Sequence, residues 1–183
     1  AFVHAAVVVG EDRRDVQPVG AGHAVLTLGA GHGGVFEHQL RGIFEQCHFL
    51  MGFEDTLTNL YEHPQEMHAL IDYITTYRLL YVKLLIDNLR PDVIFSHDDW
   101  GTKDALFMKP EMWREFFKEP YRRFYGYIRS RGVIAIHHAD SYLVPIVEDM
   151  AEIGIQVWQG VLPENDIPAL QQKLHGRLVL MGG

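Results

Sequence analysis

Apolar residues along the chain fall into two patterns. Short continuous runs cover residues 24–28, 93–96, 133–136, 155–158 and 178–181. Between them lie longer stretches in which apolar positions recur every third or fourth residue, as on one face of a helix. The strongest such stretch is "HPQEMHALIDYITTYRLLYVKLLIDNL", with Pro64 suited to the first helical position and Met67, Leu70, Ile71, Ile74, Val82, Leu85, Ile86 and Leu89 on one face. Its tyrosines are expected to pack at the rim and in the core. A second helix is expected from Pro110, carrying Met112, Trp113, Phe116, Phe117, Phe124 and Ile128 inward. Pro120 inside it should kink or split it. Two more helices are expected over residues 143–153, ended by Gly154, and about 166–174, ended by Gly176. Residues 35–60 read as helical with a break near Gly52. Ahead of them, "HAVLTLGAGHGG" reads as a strand opening into a loop with Gly29, Gly31, Gly33 and Gly34. Its glycine spacing is not that of a dinucleotide-binding turn. The loop is either a flexible turn or a place where a ligand approaches the backbone closely.

Short apolar strands alternating with amphipathic helices imply parallel strands joined by right-handed crossovers. The strand ends near His138, Gln159 and Met181 lie 21 and 22 residues apart. Units this brief suit a (β/α) barrel or a doubly wound sheet, and both bind ligands beyond the carboxyl ends of their strands. With 183 residues, 48% of them hydrophobic, the chain is expected to form a single domain. No apolar run approaches the ~18 residues of a membrane span. The opening "AFVHAAVVVG" has no basic flank and is not read as a signal peptide. A net charge of −8, with no basic stripe, argues against nucleic acid and anionic membranes as partners. The single cysteine, Cys47, fits a reducing, cytoplasmic location.

Polar groups gather where the apolar runs stop. His97, Asp98, Asp99 and Trp100 follow one strand; His137, His138 and Asp140 follow the next; then come Trp158 and Gln159, and last Met181, Gly182 and Gly183. If these strands are neighbours, the groups converge on one pocket mouth. His97, Asp98, Asp99 and His137 are candidates for acid–base catalysis. Asp98 and Asp99 equally suit turn caps in "DDWGT", and His137 equally suits a hydrogen-bonded core position. Trp100, Trp158, Gln159, Met181 and Gly182 are candidates to line a substrate, with Trp158 also suited to packing. The His138-x-Asp140 pair can direct two ligands at one divalent ion, or Asp140 can close a local turn. His32, Glu37 and His38 are weaker candidates near the Gly-rich loop.

From about Ala24 to Gly183 the chain resembles the uroporphyrinogen decarboxylase superfamily, which includes corrinoid-dependent methyltransferases. The resemblance rests on "GAGHGGVFEHQLRG", "LMGFEDTLTNLYEHPQEMHALID", "HDDWGTKDALFMKPEMWREFFKEPYRRF", "GVIAIHHADSYLVPIVEDMAEIGIQVWQGV" and "LVLMGG", in family order. Residues 1–23 have no counterpart in it. It implies a (β/α)8 TIM barrel of which this chain holds only part, with further segments on both sides. A barrel open on one side exposes a sheet edge and is expected to pair, a homo-oligomer being one form of pairing.

The resemblance also implies chemistry. Methyltransferases of this kind hold zinc with a His-x-Cys pair and a later cysteine, activating a thiol to take a methyl group from a partner corrinoid protein. His138 falls on the family histidine and Asp140 on the cysteine, with the third ligand expected beyond Gly183. A carboxylate there shifts preference toward harder divalent metals. If the acceptor is a reduced folate, no metal is needed and Asp98 could anchor the pterin. The decarboxylases of tetrapyrrole synthesis need no cofactor, but they bind a polycarboxylate. A mouth rich in aspartate, with Lys103 the obvious cation, suits that substrate poorly. The expected function is therefore methyl transfer between a corrinoid protein and a thiol or reduced folate. Porphyrinogen decarboxylation is the first alternative, and a catalytically degenerate barrel acting as a binding subunit is the second.

Overall fold

The computed structural model describes residues 25–26, 35–36 and 41–183. The candidates His32, Glu37 and His38 and the Gly-rich loop lie outside the described residues, as do residues 1–24. The described elements begin with the two-residue strands β1 (Val25–Leu26) and β2 (Val35–Phe36). Helices α1 (Ile43–Met51), α2 (Phe53–Glu62) and α3 (Pro64–Leu89) follow. Then strands β3 (Val93–His97), β4 (Ile134–His138), β5 (Val157–Val161) and β6 (Val179–Gly182) alternate with helices. The connections carry α4 (Pro110–Trp113) and α5 (Glu119–Ser130), then α6 (Val147–Glu152), then α7 (Ile167–Leu174).

Strand order follows chain order, β1 to β6. Each neighbouring pair from β2 onward is parallel, and only β1 with β2 is antiparallel. A doubly wound sheet reverses its order at a switch point; this sheet does not, so the barrel alternative holds. The strands run one to three residues past the apolar runs. The ladder pairs His97 with His138 and His138 with Gln159, because backbone hydrogen bonding is indifferent to side-chain polarity. Residues 35–36 are strand rather than helix, paired to β3. The break at Gly52 is real, with φ at 95°, a conformation that favours glycine.

Pleating sorts the strand residues onto two faces. Ile94, Ser96, His137 and Trp158 are at most 2% exposed and pack toward the helices. Phe95, His97, His138 and Gln159 alternate with them and are only half-buried. This second set forms the inner face of the curved sheet. The core beneath the outer face takes Met67, Ile71, Ile74, Val82 and Ile86 from α3, as the spacing of that helix predicts. Tyr73 and Tyr77, expected at the rim or core, are 74% and 57% exposed. Pro120 does not split its helix. A π-helical turn, Arg114–Lys118, precedes α5 and accommodates the missing amide donor and the ring. The helix over residues 143–153 opens as a 3-10 turn, Val144–Ile146, with Pro145 inside it.

Candidate active site

The amino end of α1 has no capping side chain of its own. Its orphan amides are satisfied from across the fold. Ile43 N donates to Tyr121 Oη at 3.0 Å, Phe44 N to Asp98 Oδ2 at 3.0 Å and Glu45 N to Asp98 Oδ1 at 3.0 Å. Asp98, 1% exposed, is thus a remote cap that docks α1 onto the carboxyl end of β3. Burial and the charge of Glu45 push its carboxyl well above the usual range, against the pull of the two amides. The expected catalytic or pterin-anchoring role of Asp98 is therefore corrected: both oxygens are committed to the helix.

That docking delivers Glu45 to the inner face. Glu45 Oε1 lies 3.0 Å from His97 Nδ1, and Asp99 Oδ2 lies 3.4 Å from His97 Nε2. Asp99 Oδ1 in turn accepts from Asp140 N at 3.2 Å and Ser141 Oγ at 3.1 Å. The loop after β4 therefore fixes Asp99. With a carboxylate on each nitrogen, His97 carries both ring protons and is an imidazolium. The hydrogen bonds to Asp99 and Glu45 raise its pKa to about 10, against the effect of burial. Burial raises the Asp99 carboxyl, but the hydrogen bond and charge of His97 outweigh it and hold Asp99 below its ordinary value. The His138 ring stacks on His97 with centroids 4.9 Å apart, and its Nδ1 bonds to Gln159 Oε1. The amide oxygen only accepts, so Nδ1 carries the proton of that bond and Nε2 is left unengaged by it.

The other strand-end candidates face the helices. His137 is fully buried, with Nδ1 2.7 Å from Tyr125 Oη, itself 2.6 Å from Ser96 Oγ. Burial lowers its pKa to about 3, so it is a neutral core histidine rather than a catalytic one. Trp100, expected against substrate, is wholly buried, stacked 4.2 Å from the His137 ring. Trp158 is also wholly buried, and its Nε1 donates to Ala139 O at 2.8 Å. Met181 is half-buried and Gly182 exposed, at the far strand. Gly182 has a structural reason to be glycine: a Cβ there would meet Val161 O at 2.4 Å.

The two histidines give opposite pH limbs. The His97 pKa is raised, so its contribution to stability is present below about 6.5 and lost as pH rises through about 10. The His137 pKa is lowered, so its contribution is present above about 6.5 and lost as pH falls toward about 3. Thermal melts of metal-free protein should show His97→Gln flattening the alkaline limb and His137→Gln the acid limb. The same response in both variants would contradict these assignments.

His138 and Asp140 join no group of three metal-ligating side chains among the described residues. His138 Nδ1 is engaged by Gln159, and Asp140 is exposed, its carboxylate bonded to no group among the described residues. Cys47 cannot supply the thiolate, because it is buried within α1 and burial pushes its pKa up to about 12. The His138–Asp140 position therefore lacks a third ligand among the described residues. A cleft of about 580 Å³ between Ile86, Arg90, Asp92, Arg131 and Val133 lies at the amino end of the strands and takes none of the cluster.

Comparison with known proteins agrees with this architecture. The family model described as "Uroporphyrinogen decarboxylase (URO-D)" matches residues 40–183, and the chain belongs to that family. No curated protein matches the chain significantly. A solved structure of a methyltransferase from Methanosarcina mazei is similar in fold, with a TM-score of 0.63 at 20% identity. The match covers 78% of this chain and 40% of that one, so the chain spans less than half the length of its structural relative. The sheet is accordingly part of a (β/α)8 barrel of the URO-D type. Among the described residues, no helix is long and apolar enough to cross a membrane.

Proposed function

We propose that the chain carries a methyl-transfer site, moving a methyl group between a methyl-corrinoid protein and a thiol or reduced folate. The charge of the inner face carries this reading. Glu45 and Asp99 ion-pair with His97. Lys103, the cation expected at the mouth, pairs with its neighbour Asp104. A polycarboxylate porphyrinogen would meet like charge there, at a cost that grows as water is excluded. A thiol or pterin instead brings S–H or N–H donors, which carboxylates and imidazole accept. The fold neighbour from Methanosarcina mazei being a methyltransferase lends support.

The chain's own residues would manage the acceptor. Its sulfur or nitrogen forms the new bond to the methyl carbon with its lone pair and gives up a proton. The bonding pair of the broken methyl–cobalt bond stays with the corrinoid on the partner protein. His138 Nε2 is the base placed to take the acceptor's proton, with Gln159 fixing the tautomer and the His97 ring holding the plane of His138. His97, already doubly protonated, orients and balances charge rather than accepting a proton. No step is assigned to zinc.

The test is to assay the intact protein with methylcobalamin as donor and tetrahydrofolate or a thiol as acceptor, beside decarboxylation of uroporphyrinogen. Methyl transfer without release of carbon dioxide is the expected result. Decarboxylation without methyl transfer would place the chain in the other branch, and neither activity would make it a binding subunit.

A further inference from the structure

We infer that Glu45, His97 and Asp99 form a binding site for a divalent transition-metal ion, separate from the His138–Asp140 position. One ligand atom from each of the three residues lies within 4.8 Å of the other two. The donors arrive from two elements locked to each other. Glu45 sits in the first turn of α1, which Asp98 caps, while His97 and Asp99 straddle the end of β3. Their convergence is thus built into the fold and does not depend on a surface loop.

A second observation points to a ligand. Glu45 Oε2 is buried and has no hydrogen-bond partner among the described residues, and its side chain is only 10% exposed. A buried carboxylate oxygen left unpaired is costly unless a proton or a cation compensates it.

Access and chemistry also suit an ion. The His97 and Asp99 side chains are 35% and 30% exposed, so an ion with its waters can enter from the inner face. Glu45 and Asp99 flank different ring nitrogens of His97, so one carboxylate must swing round the ring to close bonds of about 2.0–2.2 Å on an ion held at the other nitrogen. Two carboxylates and one imidazole, with no thiolate, favour Mn²⁺, Fe²⁺, Co²⁺ or Zn²⁺ over soft ions. Three protein ligands leave positions for water or a substrate oxygen, as catalytic metal sites do. The His138 ring stacks on His97, one of the three ligands.

The inference is read without turnover, so it stands or falls apart from the methyl-transfer reading. Intact protein stripped with a chelator is titrated with Co²⁺, following its visible absorption, and then challenged with Zn²⁺. One equivalent of Co²⁺ should bind and be displaced by Zn²⁺. Glu45→Gln, His97→Gln and Asp99→Asn should each weaken binding by at least about a hundredfold, since even supporting residues of metal sites cost about 10–100-fold. Asp140→Asn should bind as wild type does. Asp99→Asn leaves the α1 cap intact, so it remains a clean test if a change at Glu45 disturbs folding. Folded wild type that binds no stoichiometric Co²⁺ overturns the inference. So does binding lost in Asp140→Asn but kept in Glu45→Gln.

Discussion

Gly42→Ala should destabilise the protein by about 3–5 kcal/mol, seen as a fall in the denaturant midpoint. The backbone at Gly42 is ordinary, with φ at −64°, so conformational freedom is not the reason for glycine. Space is. A Cβ there would sit 1.9 Å from the Asp98 carboxyl carbon. Asp98 is 1% exposed and both its oxygens receive amides of α1, so it cannot swing aside without orphaning Glu45 N and leaving Phe44 N only its longer bond to Tyr121 Oη at 3.4 Å. Overpacking costs about 1–3 kcal/mol, and each buried donor left unpaired adds about 1–3. Asp98→Ala should lose the same cap without the clash, and so fall between wild type and Gly42→Ala. A Gly42→Ala protein as stable as wild type would show that α1 is not docked through this carboxylate.

The second large effect is catalytic. His138→Gln should lower the rate of methyl transfer by about 10²–10⁴-fold, the range for loss of a positioned acid–base group. Stability should change little, because His138 is half-buried and contributes no capping bond. Gln159→Leu, which removes the bond to His138 Nδ1, should weaken kcat with a smaller change in KM, as expected of a residue that only orients the base.

Much of this arrangement could be read from the chain. The apolar runs located β3 to β6, though not the parallel β2, whose residues read as helix, and the polar residues that end them are where the side chains gather. What the runs could not decide was face. In "IAIHH" the two histidines look alike, yet pleating sends His137 to Tyr125 and Ser96 and His138 to Gln159. The same alternation divides Asp98 from Asp99. Once one residue of each strand is known to face the helices, the rest follow by parity. Trp100 and Trp158 lay on the packing face by that rule.

Glu45 escaped the sequence reading for a different reason. A glutamate in the first turn of an amphipathic helix looks like ordinary complement to the helix dipole. Its partner His97 is far along the chain, and the docking runs through an aspartate separated from Glu45 by 53 positions. Only its setting in "GIFEQC", among residues that are nearly all buried, marked it as something other than a surface charge.

The central claim is that the chemistry lies on the inner face of the sheet and not on the adjacent helix-facing residues. The most direct measurement compares His137→Gln and His138→Gln side by side for methyl transfer and for denaturant stability. The account predicts that His138→Gln loses transfer and keeps stability, while His137→Gln loses stability and, where still folded, keeps transfer. Transfer lost in His137→Gln but retained in His138→Gln would contradict it.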